Sequence, residues 1–310
     1  MNVSFVSRIL LFALLGLGAS AQLHAQSPRT WVSGVGDDAN PCSRTAPCKT
    51  FPGAISKTAA GGEINCLDPG GFGTVTITKS ITIDCSNGGG IAGIQGTGTN
   101  GIIVNGSGVD VIVRNLDING MGSGLDGIKY LQGRALHVEN CRIYGFTGQG
   151  INFQPTANTN SLFVSGTKLN NNTGGGIAIS TVGTNAAVIK GTLTDTIMQR
   201  NGRGLFVGDN SHVTVYNSIA TDNTGDGFVA NGTSHNPLVI IEAGTSSLNG
   251  SNGINALAVS GIRIGRMQIS GNGVGLNATG SGVIQTFGNN DVTGNGTATT
   301  GNAPVPISSL

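Results

Sequence analysis

Two apolar rhythms run through the chain, one nested in the other. The shorter has a period of two. In "LFVSGTKL" and "VTVYNSIA" it sets Leu162 and Val164, or Val213 and Val215, on one face of an extended strand, with Leu169 and Ile219 read as inward after a short break. The longer rhythm is a glycine followed by a large apolar residue, at Gly101-Ile102, Gly127-Ile128, Gly150-Ile151, Gly176-Ile177, Gly204-Leu205, Gly227-Phe228, Gly253-Ile254 and Gly275-Leu276. The apolar members stand 26, 23, 26, 28, 23, 26 and 22 residues apart, a period of about 25. No helical heptad produces that interval. Each unit carries too few aliphatic residues to bury a core alone, whereas stacked units share one apolar column, so the pattern predicts an all-β solenoid.

Between strands lie polar corners rich in Gly and Asn. Aligning "NNNTGGG", "MQRNGRG", "TDNTGDG", "SLNGSNG" and "QISGNGVG" puts Asn172, Asn201, Asn223, Asn249 or Asn252, and Asn272 at nearly the same point of successive units. Asparagine tolerates left-handed backbone angles and can pass its side-chain amide to the next unit, about 4.8 Å away, so an amide ladder is expected. Asp222 and Asp226 then read as solvated corner residues flanking that ladder rather than as a catalytic pair.

Composition narrows the class. Glycine accounts for 53 of 310 residues and only 10% are charged, but 38% are hydrophobic, which opposes disorder. A net charge of +1 gives no footprint for nucleic acid. Arg8 precedes the apolar run Ile9 to Leu17, and small-residue sites follow at Ala19-Ser20-Ala21 and Leu23-His24-Ala25. This reads as a signal peptide over residues 1–25. The run is shorter than the roughly 20 residues a membrane span needs, and none follows, so a secreted or periplasmic chain is expected. Five cysteines in an exported chain point to disulfides. Cys42 and Cys48 share one short Pro-containing segment. "EINC" and "ITIDC" put Cys66 over Cys85 if their strands stack in register, leaving Cys141 as a buried thiol.

A coil of about 25 residues with three short strands and glycine-marked bends resembles one turn of a right-handed parallel β-helix of the pectate-lyase-like superfamily. The resemblance covers roughly residues 30 to 310. It rests on "WVSGVGDDANPCSRTAPCKTFPGAISKTAAGGEI", on "TVTITKSITIDC" and on the repeated Asn-Gly corner. It implies an N-terminal lead-in segment with a capping helix over 26–62, about 9 to 10 coils over 63–296, and a tail over 297–310 that covers the last coil. Under this resemblance Thr50 caps the helix, Phe51, Ala54, Ile55 and Ala59 close the end of the column, and Gly61-Gly62 stop the helix.

Chemistry in such a fold sits on outward side chains that stack from coil to coil. With Val113, Val138 and Val164 inward, Arg114, Glu139 and Ser165 form one outward file, and Asp117, Arg142 and Lys168 a second, with His137 and Asp110 nearby. Glu139 or His137 can act as a general base, with Arg142 steadying an enolate, while Arg114, Asp117, Lys168 and Tyr144 hold a sugar acid. The same residues also read as cross-coil ion pairs, Arg114 with Glu139 and Asp117 with Arg142. Tyr130, Tyr216 and Trp31 are further candidates for stacking on sugar rings. The resemblance lends no catalytic residues. The polygalacturonase-like Asn-Thr-Asp, Asp-Asp, Gly-His-Gly and Arg-Ile-Lys series is absent in order, with only Thr221-Asp222, Asp37-Asp38 and "RIG" at 263–265 resembling fragments of it. The acids are too scattered for a calcium cage, so no metal and no cofactor are expected. The expected function is an exported monomer with a binding or structural role facing a polysaccharide or cell-envelope component. The alternative is a carbohydrate-active enzyme, a lyase or hydrolase of an acidic polysaccharide.

Overall fold

The computed structural model describes residues 26–88, 91–181 and 187–308, and the segment read as a signal peptide lies outside them. The chain winds as a parallel β-helix whose coils each add a strand to three sheets. Among the described residues sheet A has 12 strands and sheets B and C have 10 each, matching the expected coil number. One coil runs through Asp110–Arg114 in sheet A, Asp117–Gly124 in sheet B and Ile128–Gln132 in sheet C. Among the described residues no helix is long and apolar enough to cross a membrane.

The long rhythm is the register of sheet C. Ile102, Ile128, Ile151, Ile177, Leu205, Phe228, Ile254 and Leu276 pair in one unbroken column. All are buried. The preceding glycine is required by backbone crowding: a Cβ on Gly176 would lie 2.8 Å from the carbonyl oxygen of Gly204. Burying such a column supplies the stability that no single coil has.

The corners refine the expected ladder. Asn172, Asn201, Asn223, Asn249, Asn272 and, one coil beyond the sequence reading, Asn295 form it, and Asn252 does not. Each backbone N–H donates to the next Oδ1, from Asn172 to Asn201 at 3.0 Å, Asn201 to Asn223 at 2.9 Å, Asn223 to Asn249 at 3.2 Å, Asn249 to Asn272 at 3.0 Å and Asn272 to Asn295 at 3.0 Å. Each Nδ2 donates back to a carbonyl of the preceding coil, Asn223 to Met198 for example. The left-handed angle falls on the residue before each ladder asparagine: Asn171, Arg200, Asp222, Leu248, Gly271 and Gly294. That single residue makes the bend and leaves the asparagine pointing inward.

Asp222 is exposed and pairs with Arg200 at 3.5 Å, as a solvated corner acid should. Asp226 departs from that expectation. It is half-buried, and its carboxylate accepts from the Asn252 N–H at 2.9 Å and from Asn255 Nδ2 at 2.9 Å, binding its coil to the next. A second correction concerns Ile219, which faces partly outward while Ala220 is buried. The left-handed Asn217 resets the alternation between sheets A and B, so a phase read in one strand does not carry across the corner.

Both ends have distinct structures. The helix Phe51–Lys57 is capped by Thr50, whose hydroxyl accepts the Gly53 N–H at 3.0 Å, and Phe51 and Ala54 are buried over the column with Ile55 packed beside them. The helix ends sooner than expected. Thr58 is already extended, so Ala59 and Gly61-Gly62 lie within the strand Thr58–Cys66 instead of closing the helix. The buried Thr58 hydroxyl, bonded to the Ala54 carbonyl and to Thr30, fixes that switch. Disulfides join Cys42 to Cys48 and Cys66 to Cys85, and Cys141 is a buried free thiol. At the other end the residues read as a tail form strands: Thr297–Gly301 pairs with Val274–Ala278, and Val305–Pro306 with Val283–Thr286. The solenoid therefore continues past residue 296.

Candidate functional site

Parallel pairing assembles both outward files. In sheet A, Arg114, Glu139 and Ser165 are in register, and in sheet B so are Asp117, Arg142 and Lys168. Between the sheets the backbone turns sharply through one left-handed residue per coil, at Asn115, Asn140, Gly166, Asp195, Asn217, Ala243 and Arg266. The A–B corner holds a groove of about 480 Å³, lined among others by Asn115, Asp117, Asn140, Arg142 and Lys168. A smaller groove of about 290 Å³ adjoins it on sheet B, sharing Asp117 with it and lined also by Tyr144, Asn119 and Gln95.

The centre of this surface is the Asp117 carboxylate. Tyr144 donates its hydroxyl to Oδ1 at 2.9 Å, and Arg142 Nη1 lies 3.5 Å from Oδ2. The Arg142 guanidinium also covers the Tyr144 ring at 4.7 Å. Burial, reinforced by Asp117, holds the Tyr144 hydroxyl above its ordinary pKa, so it remains a donor. Lys168 makes no ion pair among the described residues and projects exposed at the end of the file.

Glu139 and Arg114 lie on the sheet A side, 3.3 Å apart, and Arg114 also sits 3.9 Å from Asp84. His137 occupies the adjacent outward file of the same strand, stacked on Phe163 with ring centroids 4.5 Å apart. Its pKa is lowered by burial, with Glu139 opposing and Arg114 adding to the shift. The structure thus gathers Asp117, Arg142 and Lys168 at the corner groove and puts Tyr144 in the adjoining one, while Glu139, Arg114 and His137 line neither. Asp110 belongs elsewhere, paired with Arg134. Tyr130 is buried in the core, its hydroxyl on Asn160 at 2.9 Å, and presents no face to a ligand. Among the described residues no three His, Cys, Asp or Glu side chains gather as a metal set.

The sequence reading passed over Gln95 and Asn119, which stand in register with Tyr144 and Asn170. Counting two residues on from Asp117, Arg142 and Lys168 would have found Asn119, Tyr144 and Asn170. The corner residues Asn115 and Asn140 are signalled by an asparagine closing the two preceding strands.

The family model described as "Right handed beta helix region" matches residues 71–240. Among solved structures, the chain is similar to pectate lyase Pel9A, with 15% identity, a TM-score of 0.63 and coverage of 83% of this chain and 74% of that one. It is also similar to a rhamnogalacturonan lyase, with 15% identity, a TM-score of 0.53 and coverage of 81% and 76%. At these identities the likeness is one of fold. Comparison with curated protein sequences finds no match.

Proposed function

The chain belongs to the right-handed β-helix family, and on that premise we propose that it is an exported protein with a binding or structural role, contacting an acidic glycan through the groove at the A–B corner. Two disulfides fit an oxidising compartment. The observation that carries the binding reading is the state of the carboxylates. Both oxygens of Asp117 are engaged by Tyr144 and Arg142, and Glu139 is engaged by Arg114, so among the described residues no uncommitted carboxylate faces the groove. What the groove offers instead is a cationic edge at Lys168 and Arg142, beside the side-chain amides of Asn115 and Asn140. That set suits a sugar carboxylate and its hydroxyls.

The second reading is a polysaccharide lyase or hydrolase. It is favoured by Arg142 and Lys168 standing in register, where they can steady an enolate while Glu139 or His137 takes a proton from across the corner. Both similar solved structures are named as lyases, which adds analogy of fold and no more.

Incubation with plant, bacterial and algal polysaccharides tests both. Retention on an acidic polysaccharide, without new unsaturated or reducing ends, is expected. Release of such ends would replace the binding reading with the catalytic one. Turnover surviving Glu139→Ala with Arg142→Ala would remove the chemistry from this groove.

A further inference from the structure

The outward file of Arg114 and Glu139 extends further toward the N-terminus than the charged patch. Pairing continues it through Asp84 and Asn65 to Trp31, so that Trp31, Asn65, Asp84, Arg114, Glu139 and Ser165 form one straight row along sheet A. At Trp31 lies a separate groove of about 320 Å³, lined by Arg29, Trp31, Arg44, Asn65 and Asn87 among others. The two grooves meet at a covalent floor: Cys66 lines this one, Cys85 lines the A–B corner groove, and the two are disulfide-bonded.

Charge along this path is uneven. Arg114 lies between Asp84 and Glu139, one cation shared by two acids. Arg29 is held by Glu63 at 2.7 Å and stands 6.0 Å from the Trp31 ring. Arg44, exposed at one end, and Lys168, exposed at the other, have no acidic partner among the described residues. Five strand steps separate the Trp31 coil from the Lys168 coil, about 24 Å at the usual strand spacing. The path along the two grooves therefore has an uncommitted cation at each end, Arg44 in the Trp31 groove and Lys168 in the A–B corner groove, and an aromatic face at the first.

We infer that the two grooves form one binding track for an extended acidic oligosaccharide lying parallel to the solenoid axis, with Trp31 and Arg44 as its distal subsite. This rests on the glycan-binding reading of the A–B corner and adds ligand length, direction and a second anchoring point. The coil spacing is close to the length of one pyranose in an extended chain, so successive sugars meet equivalent positions on successive coils. Trp31 stacks on the terminal ring and Arg44 takes its carboxylate.

Trp31 is the only tryptophan in the chain, so the subsite reports on itself. Oligogalacturonides from dimer to octamer serve as probes, followed by calorimetry and by tryptophan fluorescence. Affinity is expected to rise with length until the track is filled, and only the longer oligomers should change the fluorescence. Trp31→Ala and Arg44→Ala should each weaken binding of the longer oligomers by about tenfold, leave the dimer unchanged, and keep the wild-type melting temperature. Trp31→Phe should restore most of the loss. Binding of long oligomers with silent fluorescence, or with affinity indifferent to length and to both substitutions, would overturn the track while leaving the corner site standing. No heat with any oligomer would overturn both.

Discussion

Asn223 shows how much one side chain carries in this fold. Its Oδ1 accepts the Asn201 N–H, and its Nδ2 donates to the Met198 carbonyl and to Asn249. Asn223→Ala leaves buried polar groups of two neighbouring coils unpaired, which should cost about 1–3 kcal/mol by chemical denaturation. Asn223→Asp should cost at least as much, because it removes the donors and buries a charge. Asp222→Asn, next door but exposed, keeps the left-handed preference and should fall within about 0.5 kcal/mol of wild type. Equal effects at both positions would contradict the ladder. The asparagines were legible because they recur three or four residues before the Gly-apolar pair. The bend itself was not, since Asn171, Arg200, Asp222 and Leu248 share the slot and have only their backbone angle in common. Cys141 is buried, and burial pushes its thiol up to about 12. It should resist thiol reagents in the native state and label only on unfolding. Rapid native labelling would contradict its packing.

At the level of strands and corners, alternation is readable within a strand and lost across a bend. The phase of Val113, Val138 and Val164 was enough to predict the pairs Arg114–Glu139 and Asp117–Arg142. It failed at Ile219 because inward positions across that corner are five residues apart, Val164 to Leu169 and Val215 to Ala220, and Ile219 stands only four from Val215. The C-terminal strands evaded the reading for a related reason. Threonines and glycine replace aliphatics in Thr297–Gly301, yet Thr299 still stacks on Leu276 through backbone pairing that any residue but proline can make. Removing residues 297–310 should therefore expose Leu276 and the edges of two sheets. A lower melting temperature and concentration-dependent association by light scattering are expected. An unchanged monomer melting like the full chain would contradict a structural role for these strands.

Across the whole molecule the solenoid turns a sequence period into straight rows of side chains. Rows of this kind explain why charges as far apart as Asp117, Arg142 and Lys168 were recognisable as neighbours from sequence. The groove they border was not recognisable, because it arises from the sharpness of the A–B corner, and sharpness leaves no hydrophobic signature. Nor was the place of Trp31 in the row, since the lead-in strand joins sheet A before the repeat begins. The stability of the column and the surface it presents are separable. Exposed groove residues can be removed without touching the stacked aliphatics, so function can be tested at constant fold. The most direct test is calorimetric titration of polygalacturonate into the wild-type protein and into a variant carrying Arg142→Ala and Lys168→Ala. The account predicts salt-sensitive binding to the wild type, weakened about tenfold or more in the variant at an unchanged melting temperature. Equal affinity in both proteins, or no binding by the wild type, would contradict it.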